Sequence, residues 1–434
     1  MSTVTTTNST AKISGYVVRE AMKGFMNDRL FSGLVRADYK NEFEEDGAKK
    51  GDSIEVRRPA QFRVRDGAGM EIQDVHEDKV KVTLPAQKGV DFQFSARECT
   101  LDIDKGTAEY SKRFIRPAGS ALASDFDATG LAVAAVSAGS TVLLTASDMS
   151  GDTTHQKEYD AFKKARANLN KFLAPKKIGE RFAIVNSDVE NDLTDNVKQL
   201  YNNSQAITKA IKEGVIQDIN GLTWGSSDLV YVHTNGAGGA TFTPKTITPD
   251  YENLTQWIGY TLSTGTLAVG DTIQFSDSYF VNPETKKTYP NLLQRKVLAM
   301  RGTGDSLEVL VYSIRPVIDM SSAGNQNEEG RKKYAMANCS ATPSAAGTVL
   351  GVAGKNYACC PVFHKDAIVM TCVDLARPTK SVEMIDSINY KNVVMRFIKD
   401  YVTTQDLFPN RLDILGVFTA ILPEWLVSVE IQID

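Results

Sequence analysis

The residues able to do acid–base, nucleophilic or metal chemistry are few and scattered. Histidine occurs at His76, His155, His233 and His364, and cysteine at Cys99, Cys339, Cys359, Cys360 and Cys372. Neither H-E-x-x-H nor G-x-S-x-G occurs. There is also no C-x-x-C to suggest a zinc ribbon or a redox pair. Cys360 and His364 stand four apart, a spacing metal ligands use, but tetrahedral zinc needs three or four ligands and no second pair accompanies them. The vicinal Cys359-Cys360 pair would close only a strained bridge, so the thiols read as buried and free, in a reducing compartment. Gly351–Asn356 (GVAGKN) approaches a phosphate loop but fails it twice. Val349 replaces the first glycine, and Asn356 follows Lys355 where Ser or Thr is needed. The Gly236–Gly239 cluster lacks the strand-to-helix setting of a dinucleotide fingerprint and reads as a linker. The Asn-x-Ser/Thr triplets at Asn202, Asn253 and Asn338 matter only to a secreted chain. No catalytic, cofactor or metal residue is assigned, and in a large, well-patterned chain this points to a structural protein rather than an enzyme.

The chemistry the sequence does concentrate is charge. Within residues 47–94, Ile54, Val56, Phe62 and Val64, and later Val80, Val82 and Leu84, alternate with polar residues at the period of a strand. Between them lies the turn-rich tip Arg65-Asp66-Gly67-Ala68-Gly69. Arg57, Arg58, Arg63 and Arg65 crowd the outgoing arm, and Glu71, Asp74, Glu77 and Asp78 the start of the return. A two-stranded ribbon with so few apolar residues is marginal alone in water. Its split charge suggests that it lies on another copy of the same chain. The residues expected to make that contact are Arg57, Arg58, Arg63, Arg65, Asp66, Glu71, Asp74, Glu77 and Asp78. Cross-strand pairing within the ribbon is the local alternative for each.

Composition sets the frame. The chain has 434 residues, 42% hydrophobic and 24% charged, enough for two or three domains with a real core. A net charge of −4 implies no strong bulk attraction to nucleic acid or anionic membrane. No apolar run reaches the ~20 residues that span a bilayer. The Ser/Thr-rich start lacks the pattern of a secretory signal, so a cytosolic origin is expected.

The surrounding elements read as follows. Residues 14–35 put Val17, Val18, Met22, Phe25, Met26 and Leu30 on one helical face, with Ser14 as N-cap. This helix either docks on a neighbour or belongs to the chain's own core. A long helical region starts at Asp102-Ile103-Asp104 and runs to about Ala138, with Pro117 starting a fresh helix. Residues 155–173 form a helix with the stripe Tyr159, Phe162, Ala165, Leu169 and Phe172 and a basic face. Arg181–Asn186 is a strand, and residues 187–213 are helical. From about Tyr231 short strands and turns indicate a small all-β unit, including Val269–Phe275, Leu293–Met300 and Leu307–Val317. Residues 321–333 look like a linker. Mixed α/β texture resumes near Ala358, and two apolar strands flank Pro423.

Four segments carry a family likeness. Gly51-Asp52-Ser53-Ile54-Glu55-Val56-Arg57-Arg58-Pro59 is similar to the start of an extended loop. Arg116-Pro117-Ala118-Gly119-Ser120-Ala121-Leu122-Ala123, with Asp127, is similar to the start of a spine helix. Arg181–Asn186 fits a body strand, and Val269–Phe275 with Val281–Lys286 looks like an inserted β-barrel. In this order of elements the chain resembles the major capsid proteins of tailed bacteriophages, closest to the coat proteins of short-tailed phages.

The resemblance implies an α+β chain of the Hong Kong 97-like capsid fold with an inserted small all-β barrel. Its parts would be an N-terminal arm (1–46), an extended β-hairpin loop (47–94) and a peripheral domain with the spine helix (95–180). An axial domain (181–230 and 346–407), interrupted by the β-rich insertion (231–345), would follow, with a return to the peripheral domain (408–434). It implies self-assembly into hexamers and pentamers of an icosahedral shell around a double-stranded DNA genome, in the host bacterial cytoplasm. A scaffolding protein, a portal and a decoration protein are the implied partners, with non-specific contact to packaged DNA, no membrane and no cofactor. The other readings are a phage tail or adhesin component, or an enzyme with a β-insertion lid.

Overall fold

The structure is a computed structural model, and it describes residues 13–38, 53–95, 97–98, 111–152, 155–200, 220–236, 240–376 and 384–433. The leader 1–12, the polar linker 40–51, Cys99, the helix start at Asp102-Ile103-Asp104 and the helical reading of 201–213 lie outside the described residues. The chain divides into two compact units. One holds residues 1–54, 83–130 and 370–418, and the other 55–82, 131–369 and 419–434.

In the first unit the N-terminal helix Ile13–Asp28 buries Val17, Val18, Ala21, Met22 and Phe25. It belongs to the core of its own chain, one of the two readings the sequence left open. Its partner is the helix Arg116–Val136, entered through a π-turn at Ser111–Ile115. The two helices meet backbone to backbone. A Cβ on Gly24 would stand 2.5 Å from the Arg116 carbonyl oxygen, and one on Gly119 2.3 Å from that of Ala21. Arg116 also donates through Nε to Glu20 at 2.7 Å. The single N-terminal helix expected from sequence is broken after Asp28, and a second turn, Phe31–Leu34, follows. Asp127 is the cause. Its buried carboxylate accepts from the amides of Leu30, Phe31 and Ser32, a side-chain cap supplied from the long helix. Phe31 and Phe126 then pack on Phe418 at ring distances of 5.5 and 4.7 Å. A four-stranded antiparallel sheet completes the unit, in the order Met384–Tyr390, Val393–Lys399, Leu407–Ile414, Lys88–Ser95.

The second unit is built on two sheets. One runs in the order Ser140–Leu144, Leu426–Ile433, Asn356–His364, Arg181–Val185, Thr223–Ser226, with Val232–Thr234 also paired to Asn356–His364. Its end pairings are parallel and its central ones antiparallel. Arg181–Val185 is buried throughout, as a central strand should be. The helix Gln156–Lys171 covers this sheet with the expected stripe of Tyr159, Phe162, Ala165 and Leu169, and Phe162 meets Trp224 edge-on at 4.9 Å. The other sheet has seven strands between Thr241–Pro244 and Gly347–Val349, all pairings antiparallel. Phe242, Tyr260, Ile273, Phe275, Leu293, Val309 and Val311 form its core. These two sheets confirm a mixed α/β chain rich in strands.

Two local expectations change. Residues 321–333 are not all linker, because Glu328–Ala335 is a helix. Asn327 caps it, accepting from the Gly330 amide at 2.9 Å, and Glu328, Glu329, Lys332 and Lys333 oppose the helix dipole in the favourable sense. Phe62 and Val64 are not in a strand. The paired strands are Ser53–Arg57 and Lys79–Thr83, and no regular element is formed over residues 58–78.

Candidate functional site, an extended arm and its buried anchor

The arm owes its base to strand parity. Ile54 and Val56 on the outgoing strand, and Val80 and Val82 on the return, face inward and are buried. Val80 packs with Leu254 and Tyr312. The outward positions carry the charges, where Arg57 faces Glu77 and Lys79 faces Glu55, both at 3.5 Å. These exposed cross-strand pairs are each worth about 0–1 kcal/mol.

The same parity turns Arg58 and Asp78 inward, 7% and 5% exposed. The Arg58 amide donates to the Asp78 carbonyl at 2.9 Å, and its Nη1 lies 3.2 Å from the Asp78 carboxylate. Arg315 grips that carboxylate with both Nη atoms, at 2.8 and 2.7 Å. Arg58 Nη2 also bonds both oxygens of Glu424, at 2.8 and 2.9 Å. Burial pulls the Arg58 pKa down, but Glu424 and Asp78 more than reverse this and hold it above its ordinary value. Burial would likewise raise the Glu424 carboxyl, and Arg58 brings it below the usual range. Arg58 and Asp78 therefore serve as the arm's anchor inside its own chain. Within the chain they take the local alternative of cross-strand pairing, since a buried charge needs a partner wherever it stands.

Further out, side chains replace the missing ladder. The Arg63 amide donates to Gln73 Oε1 at 2.9 Å, and Gln73 Nε2 donates back to the Arg63 carbonyl at 2.5 Å. Arg63 also pairs with Glu71 and lies over the ring of Tyr334, 5.8 Å from its centre. The helix Glu328–Ala335 steadies the return limb. Arg331 donates to the Ile72 carbonyl at 2.9 Å, and Lys332 meets Asp74 at 2.6 Å. Glu328 and Lys332 together hold the Asp74 carboxyl below its usual pKa. Of the nine charged residues expected at the contact, Arg57, Glu71 and Glu77 stay exposed along the limbs, and Arg65 and Asp66 stand at the exposed tip, where Arg65 folds onto the Gly67 carbonyl.

What the arm leaves uncovered is apolar. Phe62 is 59% exposed, Val64 84%, Met70 81%, Ile72 68% and Val75 62%. Among the described residues this is the densest run of exposed large hydrophobic side chains. The alternation of Phe62 with Val64 and of Met70 with Ile72 is present in the sequence, and their exposure is decided by the fold. Arg315 and Glu424 had no local signal, since they lie 237 and 366 residues from their partners.

Other titratable groups serve packing. His233 meets Asp271 at 2.8 Å, both buried, and Lys296 pairs with Glu430. Cys339, Cys359, Cys360 and Cys372 are buried, and burial raises the Cys339 thiol to about 11 and the Cys360 thiol to about 12. Cys360 and His364 are not brought together with a third ligand among the described residues. His155, Glu158 and Asp192 do bring one donor atom each within 4.8 Å of one another, a set that could take a cation and equally serves as an ion-pair cluster.

No family model matches the chain, and no curated protein matches it. Among solved structures it is similar to a chain from the mature capsid of bacteriophage PhiM1, at 11% identity over 93% of this chain and 87% of that one, with a TM-score of 0.45. It is also similar to one from the capsid of the cyanophage P-SCSP1u, at 11% identity over 92% and 86%, with a TM-score of 0.41. The coat protein I-domain of CUS-3 aligns with 27% of this chain at 23% identity, over 98% of that domain, with a TM-score of 0.18.

Proposed function

We propose that this chain is the major coat subunit of an icosahedral phage shell, of the Hong Kong 97-like fold, with the seven-stranded sheet as its inserted β domain. The observation that carries the reading is the apolar tip of an arm whose base is fixed. Phe62, Val64, Met70, Ile72 and Val75 face solvent, while Arg58 and Asp78 hold the arm's root by buried ion pairs. Exposed apolar patches of this kind mark interaction surfaces, and identical subunits offer the same arm to each other repeatedly. Arg65 and Asp66 at the tip, with the outward charges Arg57, Glu71 and Glu77, would set the register on the neighbour. Weak pairs repeated through many interfaces favour reversible, self-correcting assembly. The segments 1–46, 47–94, 95–180, 181–230, 231–345, 346–407 and 408–434 would then play the arm, loop, peripheral, axial and inserted roles. Scaffolding, portal and decoration proteins are the partners this function calls for, and a net charge of −4 suits loose, non-specific contact with packaged DNA.

Electron microscopy of the expressed protein, with and without a scaffolding partner, tests the reading. Closed shells are expected. Fibres of threefold or sixfold symmetry would favour a tail component instead, and a chain that stays monomeric under both conditions would remove the proposal. Within the arm, Arg63→Glu with Arg65→Glu is expected to prevent shells while the monomer stays folded, as read by circular dichroism.

A further inference from the structure

Behind the arm's anchor the second unit holds a part-open cavity of about 60 Å³, where Arg58, Arg295, Arg315 and Glu424 stand among apolar residues such as Phe172 and Phe280. Space of this size admits several waters or one small oxyanion. Its charges do not balance. Arg58, Arg295 and Arg315 line it, all more than nine-tenths buried, against the carboxylates of Asp78 and Glu424, and the equally buried Lys286 stands beside it on the carbonyl of the lining residue Ala337. Asp78 answers Arg58 and Arg315, and Glu424 answers Arg58. Among the described residues, Arg295 donates to the carbonyls of Tyr312, Gln294 and Ser313, and Lys286 to Gln61 Oε1 and the Ala337 carbonyl. Arg58 Nε, which no hydrogen bond satisfies, is a buried donor on the cavity wall. Neither bonds a carboxylate among the described residues, and buried cations so placed cost several kcal/mol each unless an anion accompanies them.

We infer that the cavity binds one small inorganic oxyanion, of the phosphate or sulfate class, between Arg58, Arg295 and Arg315. Guanidinium groups suit such an ion because their planar forks match its oxygens. Burial pulls Arg295 down to about 10 and Lys286 down to about 8, and the Glu424 carboxylate offsets this only in part. Since Arg58 and Gln61 belong to the outgoing limb of the arm, the bound ion would also fasten the arm's root.

Titration calorimetry of the full chain with inorganic phosphate, at constant ionic strength against chloride, tests this. One saturable site per chain is expected. Arg295→Met should weaken it at least tenfold, the worth of a charge-assisted hydrogen bond. Lys286→Met should melt higher than the parent in phosphate-free buffer, because it deletes an uncompensated buried charge, and should respond less to phosphate. Thermal unfolding shows whether each variant is folded, and Lys286→Met supplies the test if Arg295→Met is not. Absence of saturation across the millimolar range, or binding unchanged in both variants, overturns the inference. Neither result bears on shell assembly, which is read separately by microscopy.

Discussion

Asp78→Asn tests the anchor most directly. In the native chain the Asp78 carboxylate sits between two guanidiniums, with Arg315 held at 2.8 and 2.7 Å and Arg58 at 3.2 Å. The substitution keeps shape and volume and removes one charge. Arg58 and Arg315, 7% and 3% exposed, are then left facing each other, with Glu424 bound to Arg58 alone. Breaking a buried pair by removing one partner costs about 3–5 kcal/mol. Two cations share this carboxylate, which places the expected loss near the top of that range, against a total stability of about 5–15 kcal/mol. Urea unfolding of the monomer, followed by circular dichroism, measures the loss as a fall in midpoint at unchanged slope. Limited proteolysis should also cut within residues 58–78 faster than in the parent, since the arm's root is loosened. A loss below about 1 kcal/mol, the value of an exposed pair, would refute the reasoning by showing the network to be open to water.

Four further outcomes follow from the same geometry. Val64→Ser with Met70→Ser should change monomer stability by no more than about 0.5 kcal/mol, as exposed substitutions do, yet abolish particles in sedimentation. Gly119→Ala should lower the unfolding midpoint sharply, because its new methyl would meet the Ala21 carbonyl at 2.3 Å, and a normal midpoint would refute the close helix crossing. Asp127→Ala should destabilise by about 1–2 kcal/mol through loss of the cap on Phe31–Leu34, measurable by denaturant unfolding. Lys286 gives a pH test in phosphate-free buffer. Its folded pKa of about 8 lies below the ordinary 10.5, so between those values the unfolded chain holds the proton and the folded chain does not. Stability relative to Lys286→Met should therefore rise with pH over that window, by about 3 kcal/mol in all, and stay flat below it.

Local pattern was legible wherever periodicity met burial. The stripe on Gln156–Lys171 and the strand Arg181–Val185 came through because each is decided by its own residues against one apolar face. The helix Glu328–Ala335 is also written in the sequence, as an Asn cap, two acidic residues and a basic end, and its polar composition gives it no apolar stripe. The break after Asp28 could not be read from residues 14–35, since the carboxylate that causes it lies on a helix almost a hundred residues away.

The arm shows where the division falls. Sequence alone determined the apolar alternation at Ile54 and Val56 and at Val80 and Val82, the opposite charges of the two limbs and the turn-rich tip Arg65–Gly69, because period and turn chemistry are local properties. Only the tertiary structure decided which of those charges meet inside the chain. Arg58 and Asp78 are exposed or buried according to what lies beneath them, and Arg315 and Glu424 arrive there from distant sequence. Burial is a property of the packed chain, and the cost of burying charge then fixes each partner.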